Sequence, residues 1–147
     1  MAYWIEVKAR YEKTLENGAQ KRVTEPYLVD ALSCTEAEAR VIEELTPFTS
    51  GDLSVISNKK INISEVFLSY VGDRWYKVKV NFITIDGKTA TEKKSASYII
   101  VPGNNFKDAY NNFIDGMKGT LADFEIESIA ETRYMEVYPA KLSGQDV

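Results

Sequence analysis

Lys and Arg alternate with aromatic side chains in four short stretches of this chain: "KARYEK" at 8–13, "QKR" at 20–22, "RWYKVKVNF" at 74–82 and "EKKSASY" at 92–98. That mixture suits single-stranded nucleic acid. Cations track phosphates while rings stack on bases, at roughly 1–3 kcal/mol per base. The residues placed to do this are Lys8, Arg10, Tyr11, Lys21 and Arg22 in the first pair of stretches. In the second pair they are Arg74, Trp75, Lys77, Lys79, Lys93 and Lys94. The competing account is structural, because lysines on exposed strands also guard sheet edges against aggregation. Trp4 and Trp75, at strand starts, suit packing as well as stacking.

Charge placement sharpens the contrast. Residues 1–28 carry five Lys/Arg against four Asp/Glu, and residues 72–100 carry six against three. Residues 29–50 have one Arg and five acids, and 124–147 have two bases and five acids. The formal net charge of −4 therefore hides two mildly basic segments opposed to acidic ones. A pI near 5.0 argues against a dedicated duplex-DNA binder, for which basic domains are the rule. It does not argue against a single-strand binder.

Catalytic chemistry finds little support. The chain has no histidine, which removes the commonest general base, the usual zinc ligand and every Ser-His or Cys-His arrangement. Cys34 is the only cysteine, so no intrachain disulfide forms, and ahead of an acidic stretch it reads as an ordinary small residue at a helix start instead of an activated thiol. Glu36, Glu38, Glu43 and Glu44 read as a solvated helix face with no acid–base partner. The turn "VPGNNF" at 101–106 precedes a helix start, where Asn104 or Asn105 suits capping. A non-enzyme with no cofactor and no metal is expected.

These residues need a frame. A length of 147 residues and 44% hydrophobic content describe one folded domain that buries a core without staples. The longest apolar runs, such as "YIIVP" at 98–102, fall far short of the ~20 residues of a membrane helix. The N-terminus alternates like a strand and has no signal-peptide pattern, so a cytoplasmic protein is expected.

Residues 4–11 alternate with period two, followed by "LENGAQ" and a second strand through "KRVTEPYLVDA". Asn17-Gly18 predicts a type I′ hairpin, and Pro26 predicts an edge position, a bulge or a bend. Ser33 or Thr35 caps a helix with Ala37, Val41, Ile42 and Leu45 on one stripe, closed by Pro47. "GDLSVISNKKINISEVFLSY" reads as a long strand bent near "NKK". The second part repeats this order: "RWYKVKVNFITI", the turn "DGKT", "EKKSASYIIV", a helix over "NFKDAYNNFIDGMKG" and a long strand over "ADFEIESIAETRYMEVYPA". "TLADFEIESIA" stays open as an extension of the second helix.

The two parts match in detail. Trp4, Val7 and Lys8 stand 71 positions before Trp75, Val78 and Lys79, and the same interval links Tyr27 to Tyr98, Asp52 to Asp123, Ser57 to Ser128 and Glu65-Val66 to Glu136-Val137. The helix stripes align at 72, Ala37 with Ala109 and Leu45 with Met117. The expectation is an α+β fold: an internal duplication of a ββαβ unit, 1–71 and 72–147. It forms a largely antiparallel six-stranded sheet with two helices packed on one face, like a homodimer fused into one chain.

The strings "RYEKTLENGAQKRVTEPYLVDALSCTEAEARVIEELTPF", "DRWYKVKVNFITID", "EKKS" and "DGMKGTLADFEIESIAET" closely resemble an uncharacterised domain family of gut Bacteroidales and of their phages and mobile elements. The resemblance spans nearly the whole chain. It implies an intracellular, phage- or mobile-element-encoded protein, and it implies no activity.

The expected function is thus a small non-catalytic protein whose hairpin strands bind single-stranded nucleic acid. The alternative is a protein–protein module or phage inhibitor using the acidic helices, or a sponge holding a small anionic ligand in the cleft between the repeats. A homo-oligomer is compatible with either, and no membrane partner is expected.

Overall fold

A computed structural model describes residues 3–49 and 51–140. In chain order the elements are β1 (Tyr3–Thr14), β2 (Gln20–Ala31), α1 (Cys34–Leu45), β3 (Ser54–Lys60), β4 (Glu65–Val66), β5 (Arg74–Ile85), β6 (Glu92–Gly103), α2 (Phe106–Gly116), β7 (Asp123–Glu131) and β8 (Glu136–Tyr138). The fold is α+β. In place of one six-stranded sheet, the strands form two four-stranded sheets, β3-β1-β2-β8 and β4-β6-β5-β7, each with its own helix.

The two sheets belong to two compact units. One is built on residues up to Ile61 and from Arg133 onward; the other is Asn62–Thr132. The stretches expected as single long strands are therefore each divided. β3 ends where the Ile61 N–H donates to the Trp4 carbonyl at 3.0 Å, and the chain passes to the second unit to form β4. β7 ends where the Thr132 N–H donates to the Trp75 carbonyl at 2.8 Å, and the chain returns to the first unit to form β8. Both β4 and β8 run parallel to the strand they join, β6 and β2 respectively, whereas all other pairings are antiparallel. "ADFEIESIA" is strand β7 and does not extend α2.

In the first unit, period-two alternation points Ile5, Val7, Ala9 and Tyr11 of β1 and Tyr27, Val29 and Ala31 of β2 to one face. There they meet Ala37, Val41 and Leu45, the apolar stripe of α1. In the second unit Tyr76, Val78 and Val80 of β5 with Ile99 and Val101 of β6 meet Ala109, Phe113 and Met117. The helices start in the same way. Ser33 Oγ accepts from Glu36 N at 3.1 Å and Asn105 Oδ1 accepts from Asp108 N at 2.8 Å, and Glu36 and Asp108 reach back to Leu32 N and Asn104 N. Each is a reciprocal capping arrangement that satisfies two otherwise orphaned donors. Gly103 lets β6 approach α2, since a Cβ there would lie 2.6 Å from the Ala109 nitrogen.

The hairpin turns differ from the expected type. Gly18 N–H donates to Leu15 O at 2.9 Å and only Gly18 has a positive φ, +83°, whereas a type I′ turn needs two such residues. In the second hairpin the left-handed residue is Ala90, φ 56°, not Gly87. Between their 12-residue strands the first loop has five residues and the second six. That extra residue shifts β6 by one relative to β2. The partner of Val7 is Tyr27 while the partner of Val78 is Ile99, so Tyr27 corresponds to Ile99 and not to Tyr98. A one-residue slip changes face: Tyr27 is core, and Tyr98 lies on the other side of its sheet. Pro26 sits within β2, and its carbonyl accepts from Met135 N on the outer edge. Its missing N–H faces that same edge, just before the β8 ladder begins.

Candidate nucleic-acid interface

The face of each sheet turned away from its helix carries the basic and aromatic side chains, because these occupy the alternate positions of β1, β2, β5 and β6. In the first unit this face holds Trp4, Lys8 and Arg10 on β1 and Arg22 and Thr24 on β2, with Lys8 opposite Pro26, Arg10 opposite Thr24 and Glu12 opposite Arg22. Lys8, Arg10 and Arg22 are exposed. Arg10 Nε donates to Thr24 Oγ1 at 3.2 Å, and among the described residues neither Lys8 nor Arg10 forms an ion pair.

Two residues of the expected set lie on the opposite face. Tyr11 is buried in the core, its hydroxyl donating to Glu25 Oε1 at 2.7 Å. Lys21 is opposite Lys13, which itself lies 3.7 Å from Glu25. The Tyr27 hydroxyl is held above the ordinary tyrosine range by burial first, then by the bond with Tyr11 and the Glu25 charge; Tyr11 is raised by burial first and by the Glu25 bond and charge, against the bond with Tyr27, which lowers it. This cluster is structural, not a stacking platform.

In the second unit the equivalent face holds Trp75, Lys77 and Lys79 on β5 with Tyr98 and Lys94 on β6. Lys77 Nζ lies 4.6 Å from the centre of the Tyr98 ring, a cation–π contact. Arg74 and Lys93 occupy the helix-side positions. The cations here are answered by carboxylates of β7. Lys79 pairs with Glu127 at 2.6 Å, Lys94 with Glu125 at 2.7 Å and Arg74 with Glu131 at 3.2 Å. Hydrogen bonding and charge from these partners push Lys79 and Lys94 above the usual lysine range, and the Glu131 charge pushes Arg74 up. Glu127 is held below the usual carboxylate range by the bonds from Lys79 and Asn81.

The expected set therefore separates into a face on the first unit with Lys8, Arg10 and Arg22, a face on the second with Trp75, Lys77, Lys79 and Lys94, of which Lys79 and Lys94 are ion-paired, and four residues elsewhere. Sequence reading missed the acids of β7 as partners. The signal was present: Asp123, Glu125 and Glu127 alternate along a strand that pairs with basic β5. It also missed Lys59, which registers beside Glu6, whose carboxylate accepts from Tyr134 Oη at 3.0 Å.

A second feature lies between α1 and the end of β2. A cavity of about 200 Å³ is lined by Asp30, Ala31, Glu36, Ala39, Arg40 and Glu43. Arg40 is fully engaged, donating to Glu44 and to the Pro139 carbonyl at 2.9 Å each and lying 5.5 Å from the Tyr138 ring centre. Burial pushes the Asp30 carboxyl up, against a backbone hydrogen bond from Ala140 that lowers it. Among the described residues no group of His, Cys, Asp and Glu is placed to hold a metal ion. No helix there is long and apolar enough to cross a membrane.

Fold and faces together define an α+β protein of two units, the second a continuous insertion in the first, each with one helix-covered and one polar sheet face. The chain belongs to the family described as Domain of unknown function (DUF4494), whose profile matches residues 3–140. No curated protein and no solved structure gives a significant match.

Proposed function

We propose that this is a small non-catalytic binding protein that holds single-stranded nucleic acid along the helix-free face of β1 and β2. The observation that carries the reading is the exposure of Lys8, Arg10 and Arg22 on one face, with Lys8 and Arg10 unanswered by carboxylates among the described residues. Such cations are available to phosphates, whereas Lys79 and Lys94 of the second unit must first leave Glu127 and Glu125. Binding is therefore lopsided, with the first unit as the phosphate-tracking side.

The lopsidedness fits a duplicated ββαβ ancestor whose halves diverged in charge. Support comes from paired features at the same interval: Trp4 and Trp75, the ladder slips after Lys8 and after Lys79, and the parallel strands at Glu65 and Glu136. The family resemblance supports a cytoplasmic, phage- or mobile-element-encoded protein of Bacteroidales.

Fluorescence anisotropy of a labelled single-stranded oligonucleotide at several salt concentrations tests the reading. For Lys8→Gln with Arg10→Gln, the slope of log K against log salt falls by about 1.4, two contacts at about 0.7 each. Absence of binding to the wild-type chain at low salt overturns it. A second reading, a protein-interaction module, draws on the acidic cavity at Asp30, Glu36 and Glu43, which suits a basic side chain of a partner. Salt-insensitive oligonucleotide binding or none, with one stoichiometric host protein recovered in a pull-down, favours that reading.

A further inference from the structure

The strands that finish the two sheets share a short sequence. β4 and its successor read Glu65-Val66-Phe67, and β8 reads Glu136-Val137-Tyr138. Each occupies the same place in its unit. Glu65 and Val66 register with Ile99 and Ile100 of β6, and Glu136, Val137 and Tyr138 with Tyr27, Leu28 and Val29 of β2. The backbone bonds ahead of each strand also correspond: Ser64 N–H donates to Tyr98 O at 2.8 Å, and Met135 N–H to Pro26 O at 2.9 Å. The valines are buried, and the aromatic residue turns to the helix side. There Phe67 stacks on Phe113 at 6.0 Å and Tyr138 on Tyr27 at 5.8 Å. One acceptor edge thus recognises a strand by two or three backbone pairs, one valine and one ring.

β8 returns from the other unit, whereas β4 opens the continuous second unit and runs on to β5 through residues 67–73. Four residues, 61–64, join β3 to β4, and four, 132–135, join β7 to β8; the unit boundaries fall inside these linkers, at 61/62 and 132/133. Releasing β8 opens only its own short ladder and leaves the 12-residue hairpins β1–β2 and β5–β6 intact. A donor strand held by so few pairs, delivered by a hinge and matched to an edge that accepts its twin, has the connectivity of a swapped element.

We propose that the outer edge of β2 is an acceptor site for an extended Glu-Val-aromatic strand, and that a second copy of this chain docks there by donating its own β8 in place of the resident one. Exchange is reciprocal, each copy giving and receiving, so the product is a closed dimer and not a filament. The resident strand holds the advantage of a short tether, so exchange needs protein concentrations comparable with the millimolar effective concentration of such a linker, or transient opening.

The test mixes isotopically heavy and light full-length protein at millimolar concentration, warms the mixture to just below its unfolding midpoint, cools and dilutes it, and records native mass spectra. A heavy–light dimer at twice the chain mass is expected. A second protein, Pro26→Cys with Met135→Cys in a Cys34→Ser background, locks β8 onto its own β2 when oxidised. Circular dichroism establishes that it is folded. Oxidised, it yields monomer only, and reduction restores the dimer. Monomer alone from the unlocked protein under all these conditions overturns the proposal. So does a dimer that forms equally well with β8 locked, since association then proceeds without exchange.

Discussion

Lys79 Nζ and Glu127 Oε2 lie 2.6 Å apart across β5 and β7, at the point where the ladder slips between Lys79 and Val80. The slip brings Glu127 toward Lys79, and Asn81 Nδ2 donates to the same carboxylate at 3.4 Å. A glutamate thereby occupies the position at which a phosphate would meet Lys79.

Removing that competitor is expected to strengthen oligonucleotide binding. Glu127→Gln frees Lys79 at the cost of one solvent-exposed ion pair, whose net contribution to stability is small. The affinity for a single-stranded oligonucleotide should rise by up to about fivefold, the scale of one exposed ion pair, with a steeper salt dependence, as read by anisotropy. Unchanged affinity would mean that Lys79 never reaches phosphate.

The same pair sets a sign for acid stability. Glu127 is depressed in the folded state, so its contribution is present above the unfolded carboxylate pKa and is lost as pH falls through the folded value. The thermal midpoint of the wild-type chain should therefore fall more than that of Glu127→Gln as pH drops below the ordinary carboxylate range. Differential scanning calorimetry over that range checks this, and parallel curves would contradict it.

Tyrosines dominate the alkaline side. Burial, then the charges of Glu136 and Glu44, push the Tyr138 hydroxyl up to about 12, against the lowering by Arg40. Tyr27 is displaced further, by burial first. A raised folded pKa means stability present below the unfolded value near 10 and lost as pH rises from there toward the folded value. Of the nine tyrosines, Tyr27 and Tyr138 should therefore ionise only as the first unit unfolds. Absorbance at the phenolate band, followed with circular dichroism, should show their share of the titration coinciding with loss of structure.

Ala90 adopts φ 56° in the β5–β6 loop, a region that costs a residue with a Cβ about 1–2 kcal/mol. Ala90→Gly removes that cost but adds unfolded-chain freedom of about 0.4–1 kcal/mol. A net stabilisation of about 0.5 kcal/mol is expected in urea unfolding. Destabilisation would show that the Ala90 methyl contributes packing that outweighs its strain.

Gly116 ends α2 under the Phe67 ring, and a Cβ there would lie 2.5 Å from Phe67 Cε2. Gly116→Ala must displace the ring that anchors β4 against Phe113, at about 1–3 kcal/mol. Hydrogen exchange should show lost protection at β4, β6 and α2 while β1 and β2 keep theirs. Equal loss in both units would mean that they unfold as one.

Local periodicity carried most of the fold. The alternation in "WIEVKARY" and "RWYKVKVNF", the capping residues Ser33 and Asn105, and the stripe through Ala109 and Phe113 all act within a few residues, so they are readable along the chain. What stayed hidden depends on partners distant in sequence. Nothing near Ile61 or Thr132 announces that the chain leaves its sheet, because the cause is a full ladder on β1 and β5 and a vacant edge on the other unit. The match of Glu65-Val66 with Glu136-Val137 was visible, but its meaning required the register with Ile99 and Tyr27. The candidate face was half legible. Strand parity separates Lys8 and Arg10 from Tyr11, but only the slip in β7 reveals that Glu127 answers Lys79.

The pairing of Tyr27 with Glu136 joins positions 109 residues apart, and its donor follows the whole of the second unit. During synthesis from the N-terminus, β1, β2, α1 and β3 emerge long before the segment that closes their sheet. Until then the outer edge of β2 is bare, the kind of edge on which nascent chains associate. The first unit is begun before the second and closed only after it, so a chain interrupted between Thr132 and Glu136 has a complete second unit and an open older one.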